Sequence, residues 1–339
     1  MGVTGYAGLE ALRLLLQHPA CRVTYLASHS HPGEDVAAVH PHLSGLGLPA
    51  LRPADPDAIA AEADVALLST PARQALVLAP ALLDRGVRVI DFGADFRLKD
   101  PAAYARHYGG PHTAPGALGQ AVYGLPEFHR AEIAGARLVA NPGCYPTAAL
   151  LALQPALAAG AVLRDDLIVD AKSGASGAGR EPTAAGHLPE ADENVWPYRV
   201  AGLHRHGPEI EQELALAAGG PVSLTFSPHQ VGMSRGLLAT CYARLARPLP
   251  EAEAAAIYGE AYAAEPFVTV VPGLPATKPL RGSNAAHVAV RVDPRVGRLV
   301  AIAAIDNLGK GAAGQAVQNL NVMFGMAEDT GLPRVGLLP

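Results

Sequence analysis

Gly2-Val3-Thr4-Gly5-Tyr6-Ala7-Gly8 runs directly into Leu9-Glu10-Ala11-Leu12-Arg13-Leu14-Leu15-Leu16, whose leucines recur at helical spacing. A glycine-rich turn that feeds a helix is a phosphate cradle: the glycines let backbone approach a pyrophosphate, and the helix N-terminus attracts its charge. The stretch therefore predicts a dinucleotide held by Gly2, Thr4, Gly5, Tyr6 and Gly8; the plainer alternative is a tight turn packed on a sheet. Such a loop should follow a hydrophobic strand, and only Met1 precedes it. The first strand is expected to be missing, through a truncated or misassigned start.

Outward from this turn, strand and helix patterns alternate as in a doubly wound parallel sheet. Arg22–Ala27, Val65–Ser69 and Val87–Phe92 read as strands, with helices over Asp57–Ala63 and Arg73–Arg85. Ligands in such sheets sit at the carboxyl ends of the strands, which places Ser28, Ser69, Thr70 and Pro71 around a nucleotide and Asp95 and Arg97 near the chemistry. No acid stands at Ser28 to hold ribose hydroxyls, so NADP is expected over NAD. Leu98–Glu127 is rich in glycine and proline and reads as a long irregular loop.

With 339 residues the chain has room for two domains, and 50% hydrophobic against 17% charged residues is a globular balance. A net charge of −5 argues against a nucleic-acid partner and for a small molecule. Cys21, Cys144 and Cys241 are too few and too scattered for a disulfide framework or a metal site, and no stretch reads as a signal peptide or a membrane span. A reduced, cytoplasmic protein is expected.

Asn141-Pro142-Gly143-Cys144-Tyr145-Pro146-Thr147 joins a short strand, Arg137–Ala140, to a helical pattern over Ala148–Ala159. A sulfur at this handover lies near the positive end of a helix dipole, which favours thiolate, and the turn leaves N–H groups to face an oxyanion. From there the pattern shifts to longer, β-branched strands, at Leu167–Lys172, Val222–Ser227, Gly236–Arg244, His287–Val292 and Leu299–Ile305, which suggests a mixed sheet. Ser173-Gly174-Ala175-Ser176-Gly177-Ala178-Gly179-Arg180 is a second glycine-rich stretch. In Leu203-His204-Arg205-His206-Gly207-Pro208-Glu209-Ile210 an extended backbone would aim both imidazoles to one side, with Arg205 opposite. General acid/base work beside a cysteine fits them better than metal binding, with His204 slightly preferred over His206. Asp306-Asn307-Leu308-Gly309-Lys310-Gly311 leads into an amphipathic helix and offers a further anion site at Lys310.

These motifs in this order resemble the N-acetyl-gamma-glutamyl-phosphate reductases of the semialdehyde dehydrogenase superfamily, over nearly the whole chain. The resemblance rests on GxTGYxG at Gly2–Gly8, ADFRL at Ala94–Leu98, YGLPE at Tyr123–Glu127, NPGCYPT at Asn141–Thr147, SGASGAGR at Ser173–Arg180, HRHxPEI at His204–Ile210 and DNLxKGAAGQAVQNLN at Asp306–Asn321. It implies a Rossmann-like domain, 1–143 completed by 311–339, and an α+β catalytic and dimerisation domain, 144–310. It implies Cys144 as nucleophile, His204 and His206 as acid/base candidates, and Asn141, Arg97, Arg205, Ser173 and Glu209 as substrate contacts. Around NADP it adds Gly174, Ser176, Gly177, Asn307, Lys310 and Gly311 to the first loop, Ser28, Ser69 and Pro71. The implied reaction is NADPH-dependent reduction of an acyl phosphate through a thioester, in arginine biosynthesis, by a homodimer or homotetramer. Three other readings remain open: a lysine-pathway homologue acting on a carrier-bound aminoadipyl phosphate, a cysteine hydrolase, and a non-catalytic dinucleotide sensor.

Overall fold

The computed structural model describes residues 1–338, which divide into two compact units. One comprises Met1–Pro142 and Ala312–Leu332; the other comprises Gly143–Gly311 and the described residues from Pro333 on. The residues after 332 thus group with the second unit, where the sequence reading gave all of 311–339 to the first.

The first unit carries strands β1 (Leu26–Ala27), β2 (Leu51–Arg52), β3 (Val65–Leu68), β4 (Arg88–Asp91), β5 (Val122–Tyr123) and β6 (Leu138–Ala140). All pair in parallel, in two separate pieces: β1 with β2, and a four-stranded sheet in the order β3-β4-β6-β5. Side chains alternate across a strand, so Val89 of β4 enters one apolar cluster with Leu68 and Phe96 while its neighbour Ile90 enters another with Val139 and Leu320. Both faces are buried, as the βαβ pattern requires. The strand expected over Arg22–Ala27 shrinks to Leu26–Ala27, because the neighbour it pairs with, β2, is itself two residues long.

Leu98–Glu127 is not the irregular loop its composition suggests. It contains helices Pro101–Tyr108 and Pro115–Gln120 and strand β5, and helix Pro126–Ala134 starts at its end. Each of these prolines sits at the start of its helix, where its missing N–H costs nothing. Asp100 caps the first of them by accepting from the backbone N–H groups of Ala102 and Ala103.

The second unit is built on a seven-stranded mixed sheet in the order β11-β12-β13-β10-β7-β9-β8. Its strands are β7 (Leu167–Gly174), β8 (Val195–Pro197), β9 (Leu224–Val231), β10 (Leu237–Arg244), β11 (Val268–Val270), β12 (Ala286–Asp293) and β13 (Arg298–Ile305). Helix Cys144–Ala158 lies against this sheet with twelve of its fifteen residues buried. A helix apolar on all sides is a core helix. Pro155 deprives the Leu151 carbonyl of its usual partner, and the Tyr262 hydroxyl donates to it instead, at 2.6 Å.

In the first unit's glycine turn, a Cβ at Gly8 would stand 2.2 Å from the Gly2 carbonyl oxygen and 3.0 Å from the Val3 Cα. At Gly5 the nearest atom would be 3.6 Å away, an ordinary contact. Gly8→Ala is therefore expected to cost about 1–3 kcal/mol through forced backbone displacement. Gly5→Ala should stay within about 0.5 kcal/mol. Thermal melts of the two variants check the difference, and equal midpoints would remove the steric account of this turn.

Candidate active site

In the first unit, Gly5 is extended and helix Tyr6–Leu15 starts directly after it with no side-chain cap, so no side chain competes for the first-turn N–H groups. Gly2 adopts a left-handed φ of 71°, where a Cβ would meet the Ser69 carbonyl oxygen at 2.0 Å. Its N–H donates to the Ala27 carbonyl, at the end of β1, and the Ser69 N–H donates to the Met1 carbonyl beyond β3. The turn is thus pinned at the carboxyl ends of two strands, and its bare backbone fits a pyrophosphate. Ser28 follows β1, buried, with its Oγ 3.5 Å from the Ser30 Oγ. Pro71 is exposed just past β3.

At the carboxyl ends of β4 and β6, Arg97 is buried and donates through Nε to the Asn141 carbonyl at 2.8 Å and through Nη2 to the Phe92 carbonyl. Asn141 donates to the Ala312 carbonyl and accepts from Asn319 Nδ2. Both residues expected at the substrate therefore have hydrogen bonds that fix the end of β6. Beneath them, burial, reinforced by neighbouring Asp95, pushes the Asp91 carboxyl up to about 7.

In the second unit, Gly143 is extended and Cys144 is the first residue of the buried helix, half-exposed at its start. The helix begins four residues earlier than the periodicity of Ala148–Ala159 suggests, so the sulfur sits in the first turn itself. The Gly143 N–H donates to Glu209 Oε1 at 2.9 Å. Glu209 is fully buried in the first turn of helix Gly207–Ala218, where the dipole favours a carboxylate. Expected as a substrate contact, it also holds the turn that delivers the cysteine. Cys21 and Cys241 differ: burial raises both thiols, Cys241 far above the usual range.

The His204-Arg205-His206 segment is a turn rather than an extended strand, because His206 is helical and leads into helix Gly207–Ala218. Both imidazoles are nevertheless buried, with ring centroids 4.7 Å apart, and Arg205 is exposed. The Tyr145 ring lies 5.7 Å from His204 and 6.0 Å from His206. Its hydroxyl donates to the His229 carbonyl and accepts from Tyr198. Burial pushes the Tyr198 phenol up to about 12, with the Cys144 charge a further cause. Tyr198 escaped the sequence reading because a lone tyrosine in an irregular stretch carries no spacing signal.

Ser173–Arg180 is less open than its composition suggests. Strand β7 runs on through Gly174, and Ala175–Ala178 form a 3-10 turn. Asn307 donates to Ser176 Oγ at 2.9 Å and accepts from the Gly236 N–H at 2.7 Å. Ser173 is buried, and a Cβ at Gly177 would stand 2.9 Å from its Oγ. Gly311 lies against Cys144, since a Cβ there would stand 2.8 Å from the Cys144 Cβ. The turn before it hangs on buried Asp306, which accepts from the N–H groups of Leu308 and Gly309 and pairs with Arg235 at 2.9 Å. Asp306 lies in a quoted motif without an assigned role; an aspartate heading a glycine turn was the available signal. Lys310, expected as an anion site, is fully buried with its Nζ 5.9 Å from the centre of the Phe267 ring.

No group of three His, Cys, Asp or Glu side chains among the described residues is arranged to hold a metal, and no helix there is long and apolar enough to cross a membrane.

Residues 1–136 match the family model for the semialdehyde dehydrogenase NAD binding domain, and residues 144–307 match that for the semialdehyde dehydrogenase dimerisation domain. The chain is 50% identical over 337 residues to an N-acetyl-gamma-glutamyl-phosphate reductase of Symbiobacterium thermophilum, covering 99% of this chain and 97% of the relative. It is 48% identical over 341 residues to one from Acidithiobacillus ferrooxidans, covering 100% and 98%. In fold it is similar to aspartate semialdehyde dehydrogenase II of Vibrio cholerae, with a TM-score of 0.72, 17% identity and 96% of each chain covered. The hydrolase, sensor and lysine-pathway readings find no support in these matches, and the first unit is a nicotinamide-dinucleotide-binding domain. With a glycine turn of bare backbone opening a helix in one unit and a cysteine opening a buried helix in the other, the chain belongs to the semialdehyde dehydrogenase family, in its N-acetyl-gamma-glutamyl-phosphate reductase branch.

Proposed function

We propose that the chain reduces N-acetyl-gamma-glutamyl phosphate with NADPH to N-acetylglutamate 5-semialdehyde and phosphate, a step of arginine biosynthesis in the cytoplasm. The observation that carries the proposal is Cys144 in the first turn of a buried helix, its turn held by Glu209, with the next residue, Tyr145, packed against two buried histidines. The Cys144 thiolate attacks the acyl carbon, the carbon–oxygen bond to phosphate breaks, and phosphate leaves a thioester on Cys144. N–H groups at the helix start face the oxyanion formed on attack. The bound dinucleotide supplies the hydride. Collapse of the resulting tetrahedral carbon breaks the carbon–sulfur bond, returns the thiolate and releases the aldehyde, with one proton taken up overall.

For that proton, the geometry favours His206 over His204, against the slight preference drawn from sequence. His204 Nδ1 accepts the His206 N–H at 3.0 Å, so its neutral ring carries the proton on Nε2. Protonating Nδ1 as well would set N–H against N–H. His204 is therefore assigned a positioning role, and His206 the proton transfer. Arg97, Asn141 and Arg205 remain proposed substrate contacts, Glu209 becomes a positioning residue, and Ser173 lines the turn. Gly2, Thr4, Gly5, Tyr6 and Gly8 hold the dinucleotide together with Ser28, Ser69 and Pro71. Gly174, Ser176, Gly177, Asn307, Lys310 and Gly311 are proposed to complete the cofactor-binding set. The hydroxyls of Ser28 and Ser30, with no acid beside them, support NADP. The second unit's sheet is proposed to assemble a homodimer or homotetramer, consistent with its match to a dimerisation domain.

Cys144→Ser is expected to abolish turnover while leaving NADPH binding within about twofold, because a hydroxyl is a far weaker nucleophile than thiolate. Phosphate-dependent NADP reduction with the semialdehyde, followed at 340 nm, reads the rate; wild-type turnover in this variant would end the thioester mechanism. His206→Asn should lower kcat by about a hundredfold or more and remove the corresponding limb of its pH profile, while His204→Asn should lose less and keep that limb. The opposite pattern would restore His204 as the acid/base. The ratio of kcat/KM for NADPH to that for NADH should exceed about ten, and parity would remove the assignment of Ser28.

A further inference from the structure

Strand β4 ends at Asp91, and the two peptide groups that follow are held in different ways. The Asp91–Phe92 peptide stays in the sheet: its carbonyl accepts the Asn141 N–H at 2.8 Å, and its N–H donates to the Leu68 carbonyl of β3 at 2.9 Å. The Phe92–Gly93 peptide lies instead between two charged side chains. Its N–H donates to Asp91 Oδ1 at 2.8 Å, and its carbonyl accepts from Arg97 Nη2 at 2.7 Å. The N–H and C=O of a planar trans peptide point opposite ways, so fixing one fixes the other. One amide plane thus joins a carboxylate to a guanidinium.

Both ends of this link are enclosed, with Asp91 fully buried and Arg97 6% exposed. Burial and neighbouring Asp95 lift the Asp91 carboxyl to about 7, while the Gly93 N–H and the Arg97 charge act against the rise. A neutral amide oxygen could accept the same N–H without that opposition, so holding the turn does not by itself account for a carboxylate at this position. The carboxylate also fits closely, since a Cβ at Gly93 would stand 2.9 Å from Asp91 Oδ1. Arg97 is the other charge in the link, and a carboxylate on the N–H side of an amide polarises it and strengthens what its carbonyl accepts.

We infer that Asp91 is a positioning residue for Arg97, setting the plane of its guanidinium through the Phe92–Gly93 peptide. With Nε on the Asn141 carbonyl and Nη2 on the Phe92 carbonyl, one edge of the guanidinium has two backbone anchors. A planar fork recognises an anion only when its plane is correctly turned, which makes the anchoring matter for an anionic substrate. The inference rests on the proposed role of Arg97 as a substrate contact and adds the group that aims it. The anion it meets is a phosphate or a carboxylate.

The test follows NADP reduction at 340 nm with N-acetylglutamate 5-semialdehyde and phosphate, with KM for each substrate measured separately. Asp91→Asn keeps an acceptor for the Gly93 N–H and removes the charge; Asp91→Ala removes both. KM for phosphate or for the semialdehyde should rise about fivefold in the first and about twentyfold or more in the second, with kcat and KM for NADP within about twofold of wild type. Which of the two KM values rises tells which anion Arg97 meets. Gly93→Ala crowds Asp91 Oδ1 from the other side and should raise the same KM severalfold, which keeps the test decisive if Asp91→Ala fails to fold. In an Arg97→Lys background, Asp91→Asn should add less than about a twofold change, because the pair acts as one unit. A wild-type chain that turns over these substrates, with Asp91→Asn and Gly93→Ala folded and unchanged in both KM values, would overturn this inference alone. So would equal losses for all three substrates, or full additivity with Arg97→Lys. A wild-type chain that does not turn them over would end the proposed function instead.

Discussion

The helix Cys144–Ala158 is buried on nearly every side, and much of the second unit follows from that. An apolar cylinder of this kind needs cover all round, which the sheet, helix Gly207–Ala218 and helix Glu251–Ala261 supply. Its two polar liabilities are met locally: Tyr262 satisfies a carbonyl freed by Pro155, and Glu209 takes the Gly143 N–H at the start. Because the helix is fixed, its first residue is fixed. A nucleophile placed there inherits the rigidity of the core without being enclosed by it.

Close backbone approach performs the same service around both chemical centres. Gly2 and Gly8 bring main chain against main chain in the phosphate turn, and Gly311 brings the Asp306–Gly311 turn against the Cys144 Cβ. A methyl at any of the three would stand under 3.0 Å from its neighbour. The constraint is steric and short-ranged, which makes these glycines more informative about geometry than the polar residues beside them. Glu209 and Asp306 then hold the turns by accepting backbone N–H groups while buried, a use of carboxylates that needs no ligand.

Local signals set much of what the sequence by itself determined. Glycine turns before helices, alternation of short apolar runs with helical periods, and a cysteine at a strand-to-helix turn depend on residues near one another, so the doubly wound first unit, the mixed sheet and the place of Cys144 at a helix start were legible. The sequence's misreadings are local too: 98–127 reads as irregular although Pro101, Pro115 and Pro126 each start a helix, and His204–His206 reads as extended although it turns into one.

What only the tertiary structure decided is pairing across distance. Glu209 is sixty-six residues from Gly143, and Asn307 is 131 residues from Ser176, so no periodicity announces either bond. The tautomer of His204 depends on which backbone N–H its ring meets, and the enclosure of Lys310 on which core closes over it. Propensity and pattern act over a few residues, whereas hydrogen-bond satisfaction and burial are settled only when the whole core is assembled. That is why the family could be read from the chain, and the pairing of the residues around Cys144 could not.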